Sequence, residues 1–146
     1  MPQDPSAEGE GELRELLAGR VRAIQAKDVE AVAAQYDEAD VVMYNLAPPL
    51  QTRGLNRDTI RQWFDSYDGP IGCETADERF FVGDGVAFCH YLYHISGTQT
   101  SGSQVNMWVR ATLGFRRHDG GWKIVHGHDS DPFDMKTFQA LLDLKP

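Results

Sequence analysis

The spacing of apolar residues divides the chain into a helical N-terminal part and a strand-rich C-terminal part. Apolar residues at three- and four-residue spacing predict a first helix over about residues 10–26; they are Leu13, Leu16, Leu17, Val21 and Ile24. Asp28 is suited to cap a second helix, whose inner face would carry Val29, Val32, Ala33 and Tyr36. The two helices are predicted to form a hairpin.

A short strand and a third helix follow this hairpin. Residues 40–46 carry the apolar run of a strand. Pro48 and Pro49 cannot continue it inside a sheet, because proline donates no ladder hydrogen bond. The third helix is predicted over about residues 56–67, with an inner face made of Ile60, Trp63, Phe64 and Tyr67.

The remaining sequence alternates between strands and turns. Strands are predicted over residues 71–82, 86–97 and 105–117, and from Trp122 onwards. The last strand ends at Asp131, and residues 133–144 are predicted to be a short helix or tail. Helices followed by a meander of strands indicate an α+β fold, with N-terminal helices packed on one face of a curved antiparallel sheet.

Residues 1–9 lack large apolar side chains, which predicts a disordered tail. No linker or repeat interrupts the rest, so residues 10–146 are expected to form a single domain.

Composition narrows the range of partners. Of the 146 residues, 41% are hydrophobic and 25% are charged, as in globular proteins. The net charge of −8 argues against a nucleic-acid surface, which would carry a basic patch. No apolar run is long enough to span a bilayer, and no signal peptide is visible. We therefore expect a cytoplasmic protein with no membrane partner.

The stretch from Trp122 to Asp131 holds the densest group of chemically active side chains. Alternation along an unbroken strand would place on one face Trp122, Ile124, His126, His128 and Ser130. That face begins apolar and ends polar, which predicts that its polar end lines a pocket. The alternative is that both histidines are surface or core residues whose hydrogen bonds are satisfied within the protein.

Arg110 is unusual because it lies in an otherwise apolar strand. Burying a guanidinium is costly unless it is paired. Three placements fit: Arg110 reaches a carboxylate such as Asp129 or Asp131, it faces solvent, or it enters a pocket to meet an anionic or carbonyl group.

The turn at residues 118–121 brings Arg110 across the sheet from His126 or His128. Histidine is the commonest general acid or base, and a few polar groups in an apolar cavity make the usual small-ligand site. Aromatic residues at this spacing are more often core than ligand contacts, but those available for a cavity wall include Tyr44, Trp63, Tyr67 and Phe80.

A metal site is the weaker alternative. His126 and His128, with His90 or His94 nearby, would supply three imidazole ligands. No signature spacing supports such a site, and the two cysteines lack metal-ligand spacing. We therefore predict neither a metal nor another cofactor.

Three stretches together point to a known family. They are Lys27-Asp28-Val29-Glu30-Ala31, the strand over residues 40–44, and the late motif Trp122-Lys-Ile-Val-His-Gly-His-Asp-Ser. In these stretches the chain resembles the SnoaL-like, ketosteroid-isomerase-like branch of the NTF2-like superfamily. The resemblance implies a cone-shaped α+β barrel, a deep pocket between sheet and helices, and a homodimer. It implies no single activity, because the superfamily contains several enzyme classes as well as binding and assembly domains.

The chain also departs from the isomerase pattern. Ketosteroid isomerase uses an Asp base and an oxyanion hole of Tyr and protonated Asp. Matching the family motifs places Tyr44 at the base position and Arg20 at that of the hole tyrosine, so steroid isomerisation by that mechanism is not expected. Relatives often carry Glu at the position of Gly127, and its absence leaves room for close packing, as at a dimer interface.

We therefore expect a homodimer that binds a small apolar ligand with a carbonyl or carboxylate group. Turnover would be proton transfer in an isomerisation, dehydration or hydrolysis, with His128 or His126 as acid or base and Arg110 as the anion contact. The predicted ligand wall is Tyr44, Trp63, His90, Trp108, Tyr67 and Ser130. The alternative is a non-catalytic ligand-binding or homo-oligomerisation module, in which the same residues bury a polar network.

Overall fold

A computed structural model describes residues 4–146. In chain order the elements are α1 (Pro5–Gln25), α2 (Val29–Ala33), β1 (Val42–Tyr44), β2 (Thr52–Arg53), α3 (Arg57–Asp65), β3 (Tyr67–Val82), β4 (Val86–Gln99), β5 (Gln104–His118) and β6 (Gly121–Ser130). The predicted α+β class is confirmed, with a meander of four long antiparallel strands after the helices. No helix within residues 4–146 is both long and apolar enough to cross a bilayer.

Each helix begins at a side chain that accepts a hydrogen bond from its first turn. Asp4 accepts from the Ser6 amide, Asp28 from the Ala31 amide, and Asn56 from the Asp58 amide. These acceptors satisfy amides that have no partner inside a helix.

The first helix begins earlier than predicted. Asp4 is its cap and Pro5 its first residue, a pair that suits a helix start. Residues 5–9 are therefore helical, although they were expected to belong to a disordered tail. Residues 1–3 of that expected tail lie outside the described part of the chain.

The six strands form one sheet in the order β2-β1-β6-β5-β4-β3. β1 pairs in parallel with β6, and the other pairs are antiparallel. Within residues 4–146 the edge strands β2 and β3 do not pair with each other, so the sheet stays open and is not a closed barrel.

The helices cover one face of the sheet, here called the inner face; the opposite face is the outer face. Every second residue of β4 and β5 points to the inner face, and most of these residues are apolar and buried. Its buried members are Ala87, Cys89, Tyr91, Ile95, Val109, Ala111, Leu113 and Phe115. Leu13 and Leu17 of α1 and Phe64 of α3 belong to the same core.

A bulge in β6 reverses which side chains face the core. Phe115 pairs with Ile124 and Gly114 pairs with His126, so Val125 is an extra residue. One extra residue shifts the alternation by one position. Trp122 and Ile124 are buried on the inner face.

The prediction that His126, His128 and Ser130 share a face with Trp122 is therefore wrong. These three residues pair with Gly114, Thr112 and Arg110 on the outer face. Gly127 and Asp129 point towards the core instead.

The C-terminal segment forms a hairpin loop and contains no helix. A bridge joins Phe133 to Ala140, and the Asp134 side chain accepts from the amides of Lys136 and Thr137. Such local side-chain bonds compete with helix formation. Of the two predicted alternatives, helix or tail, the tail is correct.

Gly127 allows close packing within the chain. A Cβ at this position would lie 2.5 Å from Met43 Cε and 3.3 Å from Leu113 Cδ2. We expect Gly127→Ala to lower the free energy of unfolding by about 1–3 kcal/mol, the usual cost of overpacking a core. Urea denaturation measures the loss, and a further Met43→Ala change should recover part of it.

Gly114→Ala is the matched control, because its Cβ would lie 3.5 Å from His126 Cβ on the outer face, an ordinary contact. We expect it to change stability by less than about 0.5 kcal/mol. Equal losses for the two alanine variants would show that Met43 does not constrain Gly127.

Candidate functional site

Five polar side chains meet on the inner face, inside an otherwise apolar core. Tyr93 Oη donates to Asp129 Oδ2 at 3.0 Å. Arg20 Nη2 of α1 donates to Tyr36 Oη at 2.6 Å. Tyr91 is buried and lies close enough to both Arg20 and Asp129 for each charge to act on its pKa. We refer to these five residues as the inner polar cluster.

Ala111 makes the contact between β4 and β6 possible. Tyr91, Ala111 and Asp129 form one cross-strand row, with Ala111 on the middle strand β5. Side chains in such a row pack against each other, and a methyl group leaves space above the middle strand. Tyr93, which pairs with Val109 on β5, reaches Asp129 of β6 on the diagonal of this row.

Burial sets the electrostatics of the cluster. It raises the pKa of Asp129 above the ordinary value of 3.8, although the Tyr93 hydrogen bond and the Arg20 charge act in the opposite direction. Burial, with the Asp129 charge, also raises the pKa of Tyr93 well above 10.0. Asp129 and Tyr93 are only half-buried, so solvent reaches the cluster at this point.

Two polar atoms of residues near Asp129 are buried without a hydrogen-bond partner. They are Arg20 Nη1 and Asp131 Oδ2. Nearly all buried polar atoms in native proteins have a hydrogen-bond partner, so a buried polar atom without one calls for an explanation. Here the donor and the acceptor belong to residues that act electrostatically on Asp129.

The residues predicted to be catalytic lie together on the outer face. His126 Nδ1 donates to the Val42 carbonyl at 2.7 Å, and Arg110 Nε donates to Ser130 Oγ at 3.1 Å. His128 is exposed. The proximity of these side chains was anticipated, but they lie on the opposite side of the sheet from the inner polar cluster. Their role in chemistry stays a prediction.

The predicted ligand wall is divided between the two faces. The Tyr44 ring meets the rings of His126 and His128 edge-on at 4.8 and 5.2 Å, and His90 and Trp108 share that outer face. Trp63 and Tyr67 lie on the helix side, with ring centroids 6.3 Å apart.

Within residues 4–146, no three His, Cys, Asp or Glu side chains are arranged to hold a metal ion. The imidazoles of His126 and His128 are 6.5 Å apart, and one ring nitrogen of His126 already donates to Val42.

A recess of about 700 Å³ lies between α1 and the β5–β6 turn. Its lining includes Glu12 and Arg117, which are 4.0 Å apart, and Trp122, over which Arg117 lies at 5.5 Å. This recess is an open surface groove that lies apart from the inner polar cluster. Its charged groups have partners within the chain, so it is the weaker candidate.

Sequence reasoning missed the inner polar cluster because it treated β6 as an unbroken strand. The cross-strand pairing would have indicated that Asp129 lies on the inner face. Placing His128 opposite Thr112 puts Asp129 opposite Ala111, on the same face as apolar Val109 and Leu113. The alternation of Tyr91 and Tyr93 with outer-face residues on β4 completes that signal.

Comparison with known proteins gives the family but no activity. A family profile described as a SnoaL-like domain matches residues 13–134. A search of curated proteins gives no match. An NTF2-like protein of unknown function from Pseudomonas putida KT2440 is 30% identical, with 97% of this chain and 99% of that chain covered and a TM-score of 0.87.

Two more distant structures share the fold. One is a candidate dehydratase of the NTF2-like family from Streptomyces avermitilis, with 20% identity, coverage of 86% and 97%, and a TM-score of 0.72. The other is the association domain of C. elegans CaMKII, with 17% identity, coverage of 88% and 99%, and a TM-score of 0.67. The length of the profile match and the 30% identity over nearly the whole chain show that this protein belongs to the SnoaL-like family of the NTF2-like superfamily.

Proposed function

We propose that this protein binds a small apolar carbonyl- or carboxylate-bearing ligand against the inner face of its sheet and acts on it by proton transfer. The observation that carries the proposal is Asp129, a half-buried carboxyl with a raised pKa and a tyrosine partner. Carboxyl groups with this environment are typical of acid–base sites.

We assign separate tasks to the two oxygens of Asp129. Tyr93 donates to Oδ2, which fixes the orientation of the carboxyl group. No hydrogen bond within residues 4–146 occupies Oδ1, which is therefore free to take a proton from a carbon next to a ligand carbonyl and to return it. This step suits an isomerisation or a dehydration, and the fold shared with a candidate dehydratase is in keeping with it.

The surroundings of Asp129 favour an apolar ligand. Met43 packs over Gly127, two residues before Asp129 on the same face. Met43 and Tyr93 are half-buried residues that pack against the hydrophobic core. An apolar ligand body would cover these side chains and remove the remaining water from the carboxyl group.

A ketone with exchangeable hydrogens tests the proposed chemistry without knowledge of the substrate. We expect the protein to accelerate exchange of the α-hydrogens of α-tetralone for deuterium, measured by proton NMR in D2O. Asp129→Asn should lower this rate by at least about 100-fold, within the usual contribution of a general base. Tyr93→Phe should lower it less, because the carboxylate remains.

The variant His128→Ala tests whether the exchange depends on the inner face or on the outer face of the sheet. Loss of exchange in His128→Ala with full exchange in Asp129→Asn would transfer the chemistry to the outer-face residues His126, His128 and Arg110. No exchange by the unmodified protein would favour a binding module without catalysis.

Asp129 should also cost stability at neutral pH. Its folded pKa is raised, so the folded chain binds the proton more tightly than the unfolded chain, and stability is lost as pH rises from 3.8 through the folded pKa. We expect Asp129→Asn to raise the Tm at pH 7 by roughly 2–4 °C, which corresponds to about 1 kcal/mol in a chain of this size.

This gain should shrink as pH falls towards 3.8 and disappear below it, because the carboxyl group is then protonated in both states. Thermal unfolding monitored by circular dichroism measures the effect. Asp119→Asn, in an exposed turn, is the control and should show no such gain. A Tm of Asp129→Asn that is lower than that of the unmodified protein at every pH would contradict the assignment.

The outer face supports a second function, assembly of a homodimer. Phe81 and Phe88 stack at 4.7 Å, and both are exposed large apolar residues, as is Tyr44 on the same face. Exposed apolar patches of this kind mark interaction surfaces, and two-fold homodimers are the commonest assembly. The fold shared with an association domain is in keeping with this proposal.

Phe88→Glu should convert the proposed dimer to a monomer, because it places a charge in the apolar patch that the dimer would bury. Light scattering coupled to size-exclusion chromatography gives the mass. Phe138→Glu is the matched control, since Phe138 is 72% exposed in the C-terminal hairpin loop. The outer-face proposal fails if Phe138→Glu gives the monomer and Phe88→Glu remains a dimer.

A further inference from the structure

We propose that Arg20 forms an anion subsite within the inner polar cluster, and that the ligand carries a carboxylate which binds the Nη1 edge of its guanidinium. This inference rests on the proposed ligand site, whose carbonyl chemistry is assigned to Asp129. It adds a second polar contact and restricts the ligand to singly charged carboxylates on an apolar body.

The first observation is that the Arg20 cation lacks an acidic partner. Nη1 is buried and makes no hydrogen bond. Within residues 4–146, no carboxylate forms an ion pair with Arg20, although most other arginines of the chain have one. A buried, unpaired cation is costly, and a bound anion would remove that cost.

The second observation is that the guanidinium is held in one orientation. Nη2 donates to Tyr36 Oη, and Cζ lies 5.2 Å from the centre of the Tyr36 ring. Tyr36 is itself fixed by backbone bonds, since the Ile124 amide donates to the Gln35 carbonyl and the Asp37 amide donates to the Ile124 carbonyl. Arg20 is therefore preorganised, with one edge used by Tyr36 and the other free.

The third observation is the position of Arg20 relative to Asp129. The charge of Arg20 lowers the pKa of Tyr91 and the charge of Asp129 raises it. The buried Tyr91 side chain therefore lies near both residues. A ligand whose carboxylate contacts Arg20 would present its next functional group to Asp129. The nearby cation Lys27, just after α1, is already used, because its Nζ donates to the Tyr67 carbonyl.

Charge favours a carboxylate over a phosphate. The site offers one free guanidinium edge, and Asp129 and Asp131 lie close enough to raise the local negative charge. A doubly charged phosphate would meet that charge with only one cation to offset it. A carboxylate matches a guanidinium edge in shape and carries a single charge.

A pair of naphthalene compounds tests the inference, because they have nearly the same shape and only one of them carries a negative charge. We expect the full chain to bind 1-naphthoate at least about tenfold more tightly than the neutral 1-naphthamide, measured by isothermal titration calorimetry. Arg20→Gln should weaken naphthoate binding by about tenfold or more and leave naphthamide binding unchanged. Arg22→Gln is the matched control, because Arg22 is an exposed residue of α1 that pairs with Glu15, and it should bind naphthoate normally.

Tyr36→Phe provides a second variant that keeps the buried cation and so does not depend on the folding of Arg20→Gln. Loss of the hydroxyl frees Nη2 and should weaken naphthoate binding by a few fold, again without effect on naphthamide. Equal affinity for the two compounds, no binding of naphthoate, or unchanged naphthoate binding in both Arg20→Gln and Tyr36→Phe overturns the inference.

The α-tetralone exchange assay separates this inference from the proposed function, because that ketone has no carboxylate. Exchange that depends on Asp129, together with no preference for naphthoate, removes the anion subsite and leaves the proton-transfer site in place. Arg20-dependent naphthoate binding without exchange supports the subsite and removes the catalytic proposal.

Discussion

The extra residue Val125 in β6 determines which polar side chains lie on each side of the sheet. Before the bulge, β6 buries Trp122 and Ile124; after it, the same strand turns Gly127 and Asp129 inwards and its histidines outwards. Inner and outer faces differ in both solvent access and neighbours. This one backbone irregularity therefore places Asp129 on the helix side of the sheet. There Tyr93 donates a hydrogen bond to it, and the charge of Arg20 acts on its pKa.

Much of the fold follows from local sequence signals. Asp28 and Asn56 cap helices as their side chains suggest, and alternation on β4 and β5 gives the correct buried face. At two places a local Asp hydrogen bond outweighed the apolar pattern. Asp4 caps α1 although the residues after it lack large apolar side chains, and Asp134 closes a turn where apolar spacing would also suit a helix.

The candidate site was harder to predict, because it depends on the summed register of three strands. Valine itself does not mark a bulge, since it suits a regular strand. Gly127 and Gly114 lie close to the bulge, but a glycine inside a strand can equally indicate close packing. The motif around His126 and His128 identified the family, yet alternation alone did not reveal that the structure turns these two histidines outwards and Asp129 of the same motif inwards. A conspicuous sequence pattern and a chemically perturbed environment are thus different kinds of information.

Ala111 contributes to the site although it carries no functional group. It lies on the middle strand between Tyr91 and Asp129, and its small size sets how closely side chains from β4 and β6 approach. For protein design, this makes the middle strand a spacer whose side-chain volume adjusts the distance between an acid and its hydrogen-bond partner. The reach of the acid–base pair could then be altered while both of its members stay unchanged.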